Sequence, residues 1–326
     1  MNQTTKQFIV KGEEAGDRVD QFLAKKFSGY SRNYFAKLIS QENVLVSGKP
    51  VKAAYKLRVD DEVQVFIQEV RSNLTPQAED IQIDIIFEDN DVIVVNKPAG
   101  MVVHPGAGNY SGTLVNALLS YIPAIKDAVL DPESKLSSFR PGIVHRLDKD
   151  TSGIMVVAKN ARAMHSISRQ IMHRDVKKLY FALCYGWPKE PEGELTNFIA
   201  RNPKDRKKMA EVDKEKGKVA ISKYRVDKYL KSKLGHKISL VEFNIITGRT
   251  HQIRLQSKLA GFPVLGDSVY GSRESQKCSA TLSISRQMLH AKELSFTLPG
   301  ENTASRFVAD LPKDFEHTLR PLSEIE

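Results

Sequence analysis

Apolar residues recur at two different periods along this chain, and the change from one to the other divides it. In GDRVDQFLAKKF, Val19, Phe22, Leu23 and Phe27 fall on one face at helical spacing. YSRNYFAKLISQEN repeats the pattern with Phe35, Leu38 and Ile39 facing inward and Ser31 as a candidate N-cap. VLVSGKPV and DEVQVFI then alternate apolar and polar positions, which predicts short strands with turn chemistry at Ser47-Gly48. Two amphipathic helices and a small strand set predict a compact domain over residues 1–70. RSNLTPQAED, residues 71–80, is polar, carries Pro76 and lacks a period, so it reads as a linker.

Residues 81–326 mix both periods in one long domain. DIIFEDNDVIVVNKPAG predicts two strands around a turn at Asp89 to Asp91, the second ending at Asn96-Lys97-Pro98. TLVNALLSYI predicts a short helix, IMVVAK a buried strand, and ARAMHSISRQIMHRD a helix with Met164, Ile167, Ile171 and Met172 on one side. Strands follow at KKLYFALCYGW, ELTNFIA, VAISKYRVDKYL and KISLVEFNIIT. RTHQIRLQSKLAG then predicts a helix ended by Gly261, and MLHAKELSFTLP a closing strand. Consecutive strands with few helical crossovers predict an α+β fold: a mixed, mostly antiparallel central sheet with flanking helices, preceded by a small α/β domain.

Composition narrows the classes. With 326 residues and 41% apolar content the chain has enough material for a sizeable core. Its first residues, MNQTTKQFIVKGEE, lack the basic-then-apolar order of a secretion signal, and no apolar run reaches membrane-spanning length. Cys184 and Cys278 are too few for a disulfide framework or a thiolate metal site. These features predict a reducing cytoplasm and no membrane partner. The net charge of +10 is unevenly placed: residues 1–80 hold 12 Lys/Arg against 11 Asp/Glu, and residues 201–237 hold 14 against 5. Such a run is either a solvated lysine-rich loop or a contact for a polyanion.

Three clusters carry candidate chemistry. His145, Arg146, Asp148 and Asp150 share a loop with Thr151, Ser152 and Gly153 just ahead of the IMVVAK strand. A carboxylate in such a loop serves as nucleophile or base when a cation holds it ionised, and the same residues also make an ordinary salt-bridge and turn network. The order H-R-L-D, without a glycine-rich loop or D-F-G, is not that of a protein kinase. His104, His145 and His251 lack metal-ligand spacing, and no second carboxylate stands out to complete a glycosidase pair. In ITGRTHQIR, Gly248 supplies a turn and Thr250 a helix cap. Arg249, His251, Gln252 and Arg254 crowd the first turns. Cations at a helix start oppose its dipole, so this segment is either an exposed, solvated helix start or one with an anionic partner, a protein carboxylate or a phosphate. In KKLYFALCYGW, odd spacing puts Tyr180 and Tyr185 on opposite faces of a strand, where tyrosines ordinarily pack.

In this order the clusters resemble the motifs of the RluA/RluD-type pseudouridine synthases, which isomerise uridine within RNA. RPGIVHRLDKDTSGIMVVAKN is similar to the catalytic motif of that family, KKLYFALCYG to its tyrosine motif and TGRTHQIR to its third motif. NKPAGMVVHPG, RNPKDRKKM and VLGDSVYG extend the likeness over nearly the whole chain. Residues 17–67 resemble an S4 RNA-binding domain, with Asn43 where glycine is frequent and Asp60-Asp61 where Gly-Asp is usual. The resemblance implies that Asp148 starts cleavage of the glycosidic bond, that Tyr180 lies against the target base as a candidate proton acceptor, and that Arg254 pairs with the aspartate. It implies that Arg146 enters the RNA stack in place of the extruded base. It also favours the polyanion reading of the basic segment, with Arg201, Lys204, Arg206, Lys207 and Lys208 as RNA contacts. No cofactor or metal is required by an isomerisation of this kind.

The expected partner is RNA, in the first place 23S large-subunit rRNA or its assembly intermediate, met by a monomer. Another rRNA site or a tRNA is the alternative substrate. A catalytically silent RNA-binding or ribosome assembly protein, and a hydrolase that releases free uracil through Asp148 and His145, are the alternative functions.

Overall fold

The computed structural model describes residues 3–27, 32–68, 76–106, 108–130, 140–205 and 207–325. Ser31 and Arg206 lie outside them, as does the first half of the proposed linker, residues 71–75. In the N-terminal part, α1 (Val19–Lys26) and α2 (Arg32–Ser40) pack on an antiparallel sheet of β1 (Gln3–Ile9), β2 (Val44–Val46), β3 (Lys49–Pro50) and β4 (Glu62–Gln68). The sheet runs in the order β1-β4-β2-β3. The helical spacing works as expected: Val19, Phe22, Leu23, Phe35, Leu38 and Ile39 are buried together with Val44, Val63 and Val65. Buried Asp20 takes bonds from Arg18 (3.1 Å) and Arg32 (2.8 Å), fixing α1 to α2. Ser47 (φ 49°) and Gly48 (φ 74°) make the expected turn. Asp60, where glycine is usual, adopts φ 67°. β1 was not legible in the alternation, because its register partners on β4 pair it as an edge strand with much of its surface exposed.

A second sheet contains eleven strands among the described residues. Its path begins with β5 (Asp84–Glu88), β6 (Val92–Lys97), β7 (Ser152–Ala158) and β13 (Leu289–Thr297). It continues through β8 (Lys177–Tyr185), β12 (Lys237–Ile245), β11 (Lys218–Lys231), β9 (Glu192–Arg201) and β10 (Met209–Glu211). β14 (Ala304–Val308) pairs with β13, and β15 (Ser323–Ile325) with β11, so MLHAKELSFTLP does not close the fold. All pairings are antiparallel except β13 with β7, which makes the sheet mixed and mostly antiparallel.

Period-two alternation assigns the faces. Tyr180 and Ala182 join a core with α3 (Leu114–Tyr121) and α4 (Ala161–His173). Leu183 joins another core with Cys278 of α6 (Arg273–Thr281) and Phe315 of α7 (Lys313–Leu319), and Tyr185 packs against it. The two tyrosines thus face opposite sides, as their spacing requires. In α4, Met164 and Ile167 are buried, but Met172 is 72% exposed. At 100° per residue it lies well round the helix from the other three, so the expected four-residue face has only three members. Residues 76–81 run beside α3: Asn116 Nδ2 donates to the Gln77 carbonyl (2.7 Å), and Gly112 N donates to Glu79 (3.0 Å).

Candidate active site

The loop that carries Asp148 is held from beneath at successive residues. Lys97, at the end of β6, is buried and donates to the carbonyls of Pro98 (2.7 Å), Met101 (2.9 Å) and Lys149 (3.1 Å). Burial pulls its pKa down to about 7, against the opposing pull of the Asp150 and Asp148 charges. Arg286 donates to the Asp150 carbonyl (3.0 Å) while its other edge grips Asp314 of α7 at 2.6 and 2.9 Å. Ser152 Oγ lies 3.0 Å from His290 Nδ1. Gly153 (φ 116°) allows the backbone of β7 to approach β13 so closely that a Cβ there would strike the carbonyl and amide of Ala291. With the backbone pinned in this way, Leu147 enters the core, Arg146 is exposed, and Asp148 turns to the cavity between them.

The opposite wall is α5 (Gln252–Leu259). Thr250 does not cap it. The N-cap is His251, in the left-handed region at φ 55° and ψ 23°, a conformation that costs a non-glycine residue roughly 1–2 kcal/mol. The capping work falls to Gln252, whose Oε1 accepts from Arg249 N (3.0 Å) and Thr247 Oγ1 (2.8 Å) and whose Nε2 donates to Ile221 O (3.0 Å). This arrangement brings His251 and Arg254, three residues apart, to the same side. Arg254 Nη1 donates to Asp148 Oδ2 at 2.9 Å, and its Nε and Nη2 donate to the two oxygens of Asp267 at 2.7 and 3.0 Å. The anionic partners called for by the helix dipole are therefore protein carboxylates.

Side-chain exposure falls from 16% at Asp148 to 6% at Arg254 and 1% at Asp267, so the open carboxylate is backed by a closed ion pair. Burial opposes the arginine's charge, but Asp267 and Asp148 outweigh it and raise its pKa further. The same arginine holds Asp267 below the usual carboxylate range despite burial. His251 Nε2 lies 3.8 Å from Asp148, and its Nδ1 is 2.9 Å from Tyr270 Oη. Burial lowers the pKa of His251, with the Asp148 charge opposing. Tyr270 Oη also accepts from Met209 N (2.7 Å), which ties the basic β9–β10 hairpin to this wall.

Tyr180 lines the same cavity, of about 470 Å³, with Asp148 and Arg254. Burial and then the Asp148 charge push its phenol pKa up, so it offers an O–H and a ring face. The structure thus brings Asp148, Tyr180 and Arg254 together and sets Arg146 at the cavity's edge. Arg201, Lys204, Lys207 and Lys208 lie apart on the β9–β10 hairpin. Among the described residues no group of three or more His, Cys, Asp or Glu side chains could hold a metal ion.

Residues 91–259 match the family described as RNA pseudouridylate synthase, and residues 17–63 match the S4 domain. A ribosomal large subunit pseudouridine synthase D of Neisseria meningitidis serogroup A is 40% identical over 316 residues, covering 95% of this chain and 80% of the relative. This chain belongs to the RNA pseudouridylate synthase family. An RNA pseudouridine synthase of Aquifex aeolicus, itself uncharacterized, is 41% identical over 98% of the synthase and 97% of the relative. The structure of human RNA pseudouridylate synthase domain containing 1 superposes with a TM-score of 0.57 and 26% identity, covering 76% of this chain and 91% of that one. The synthase is therefore an isomerase acting on RNA, with an S4 RNA-binding domain ahead of its catalytic sheet.

Sequence reasoning singled out Asp148, Tyr180 and Arg254, which the structure brings together, but missed Lys97, Asp267, Tyr270 and Arg286 as their supports. VLGDSVYG held the signal for two of them: Asp267 accepts from Val269 N (2.9 Å) and Tyr270 N (3.0 Å), a local turn that presents both carboxylate oxygens to Arg254. Lys97 and Arg286 bind carbonyls far away in sequence, which no spacing rule reveals.

Proposed function

We propose that the synthase converts uridines of 23S large-subunit rRNA, free or in an assembly intermediate, to pseudouridine. Asp148 starts the reaction and no cofactor takes part. The observation that carries this reading is the Arg254 fork, which saturates Asp267 with two bonds and aims its remaining edge at an accessible Asp148. The substrate assignment rests on relatives such as the ribosomal large subunit pseudouridine synthase D of Neisseria meningitidis.

The conversion breaks the C1′–N1 bond, turns the uracil over and joins C5 to C1′, with the C5 proton replaced by one at N1. Nothing is oxidised or hydrolysed. Asp148 can act by bonding to C1′ or to C6 of the base, or by assisting loss of the C2′ proton. Tyr180, whose phenol stays protonated in the free site, reaches a proton-accepting role only after losing its own proton, and its ring supports the base throughout. Extruding the nucleotide costs a few kcal/mol, offset in part by Arg146 filling the stack; Arg146 is exposed and makes no hydrogen bond or ion pair among the described residues. The closed floor of the cavity keeps water from the detached base.

Arg201, Lys204, Arg206, Lys207 and Lys208 hold RNA phosphates, and the S4 domain reads folded RNA by shape. The enzyme works as a monomer in the cytoplasm, where its buried cysteines, Cys184 and Cys278, stay reduced. Mapping pseudouridine across all rRNA and tRNA in cells with and without the protein tests the assignment. Loss confined to 23S rRNA is expected. Loss confined to tRNA, or to another rRNA, overturns the substrate, and free uracil in place of pseudouridine overturns the reaction.

A further inference from the structure

Lys178 stands two residues before Tyr180 on β8, so both side chains leave the strand on the same face. It is 7% exposed and lines the cavity that holds Asp148 and Tyr180. Every other strongly buried cation of the catalytic domain is compensated: Lys97 by three carbonyls, Arg254 by two carboxylates, Arg286 by Asp314 and backbone oxygens. Among the described residues the Lys178 side chain makes no hydrogen bond and no ion pair. A Cβ added at Gly248 would lie 3.9 Å from its Nζ. Its charge bears instead on His145, a buried ring already kept neutral by burial, whose Nε2 accepts from Val156 N (3.1 Å). Burial lowers the lysine's own pKa with nothing to offset it. An unpaired, largely desolvated ammonium is a cost that the free protein does not recover.

We propose that Lys178 is a catalytic residue of the isomerisation, donating a hydrogen bond to a uracil carbonyl oxygen and stabilising the negative charge that gathers there. The inference rests on Asp148 reacting with a uridine in this cavity, and deepens that reading. Whichever way Asp148 acts, the ring becomes anionic. If C1′–N1 breaks first, its electron pair leaves on N1 and spreads to O2 and O4. If the carboxylate bonds to C6, the C5=C6 pair moves to O4. The pair returns when C5 joins C1′, and the C5 proton then leaves, so Lys178 gains and loses no proton of its own. A donor waiting where charge develops, in a site shielded from water, acts as an oxyanion hole does. Depth separates this role from a phosphate contact: phosphates stay at the cavity mouth, where Arg146 and Arg174 are exposed, while the extruded base enters towards Tyr180.

Lys178→Met and Lys178→Arg are to be compared with wild type and Asp148→Asn in kcat, KM, RNA affinity and thermal midpoint. In Lys178→Met, kcat should fall about 100-fold, the lower end of what removing one oxyanion donor costs. KM and RNA affinity should stay within about two-fold, and the midpoint should hold or rise, because an unpaired buried charge has gone. Lys178→Arg should recover part of kcat. An unchanged kcat overturns the proposal. So does a rise in KM at constant kcat, the mark of a phosphate contact, or a fall in midpoint that accounts for the lost activity. Activity surviving in Asp148→Asn would instead overturn the underlying reading of the site.

Discussion

Arg254 and Lys204 are both cations of an RNA-modifying enzyme, set in opposite surroundings. Arg254 is buried between two carboxylates and hydrogen-bonds along both edges of its guanidinium. Lys204 is exposed at the tip of the β9–β10 hairpin, where its backbone amide donates to Asn202 (2.8 Å) and, among the described residues, its side chain makes no ion pair. In the first setting charge holds geometry: water is excluded, the ions are fixed, and losing one partner strands the other. In the second, charge has no fixed direction; on the proposed reading it supplies affinity through neutralised phosphates and the counterions they release. Tyr270 joins the two regions, bonding His251 beside Asp148 and Met209 at the start of β10.

The contrast is tested most severely at Arg254. Arg254→Ala leaves Asp267 buried and unpaired, and unfolding free energy should drop by about 3–5 kcal/mol, read by denaturant titration, with pseudouridine formation lost. Arg254→Lys keeps the charge but has no fork to serve two carboxylates at once. Its kcat should fall at least about tenfold with a smaller stability loss. Equal stability of Arg254→Ala and wild type would contradict the closed ion pair.

On the exposed side, Lys204→Ala, Lys207→Ala and Lys208→Ala combined should leave stability within about 0.5 kcal/mol per site. RNA binding should weaken, and the slope of log affinity against log salt should flatten by roughly 0.7 to 0.9 for each phosphate that is no longer neutralised. A triple variant with unchanged salt slope would remove the hairpin from the RNA path. A triple variant with reduced kcat at saturating RNA would show that the hairpin acts through Tyr270 on the site.

A separate expectation concerns pH. Burial holds His104 near about 4, His145 near about 3 and His290 near about 4, against an ordinary value of 6.5. Below about pH 6.5 the unfolded chain takes up protons that the folded chain refuses, so stability falls as pH drops towards 4. Denaturation midpoints taken between about pH 7 and about pH 4.5 should decline steadily; a flat profile would mean that these rings are protonated in the fold.

Much of this was legible in the sequence because it was periodic or local. Helical spacing placed the cores of α1 and α2, and odd spacing on β8 separated Tyr180 from Tyr185. The dipole conflict in ITGRTHQIR offered an anionic partner as one of two readings, and the carboxylates beside Arg254 bear it out. What escaped the sequence lacked a stripe or a short range. α6 buries Ser275, Cys278 and Ser279, with a single apolar residue among them, so no amphipathic pattern marked it. β14 and β15 are short and mostly exposed. Thr250 looked like a cap by residue type, but Gln252 binds the loop from inside the helix, a choice decided by Ile221 and Ser222 on a distant strand. Lys178 shares the face of Tyr180 by its spacing, but a lysine at that position gives no sign that it is buried.

The most direct test of the account is Asp148→Asn, assayed for pseudouridine in purified substrate RNA alongside RNA affinity. Asparagine preserves shape and an acceptor for Arg254 but lacks the carboxylate to which the proposed reaction is assigned. The account predicts no detectable pseudouridine with RNA affinity kept within a few-fold; pseudouridine formed at a rate near wild type would contradict it.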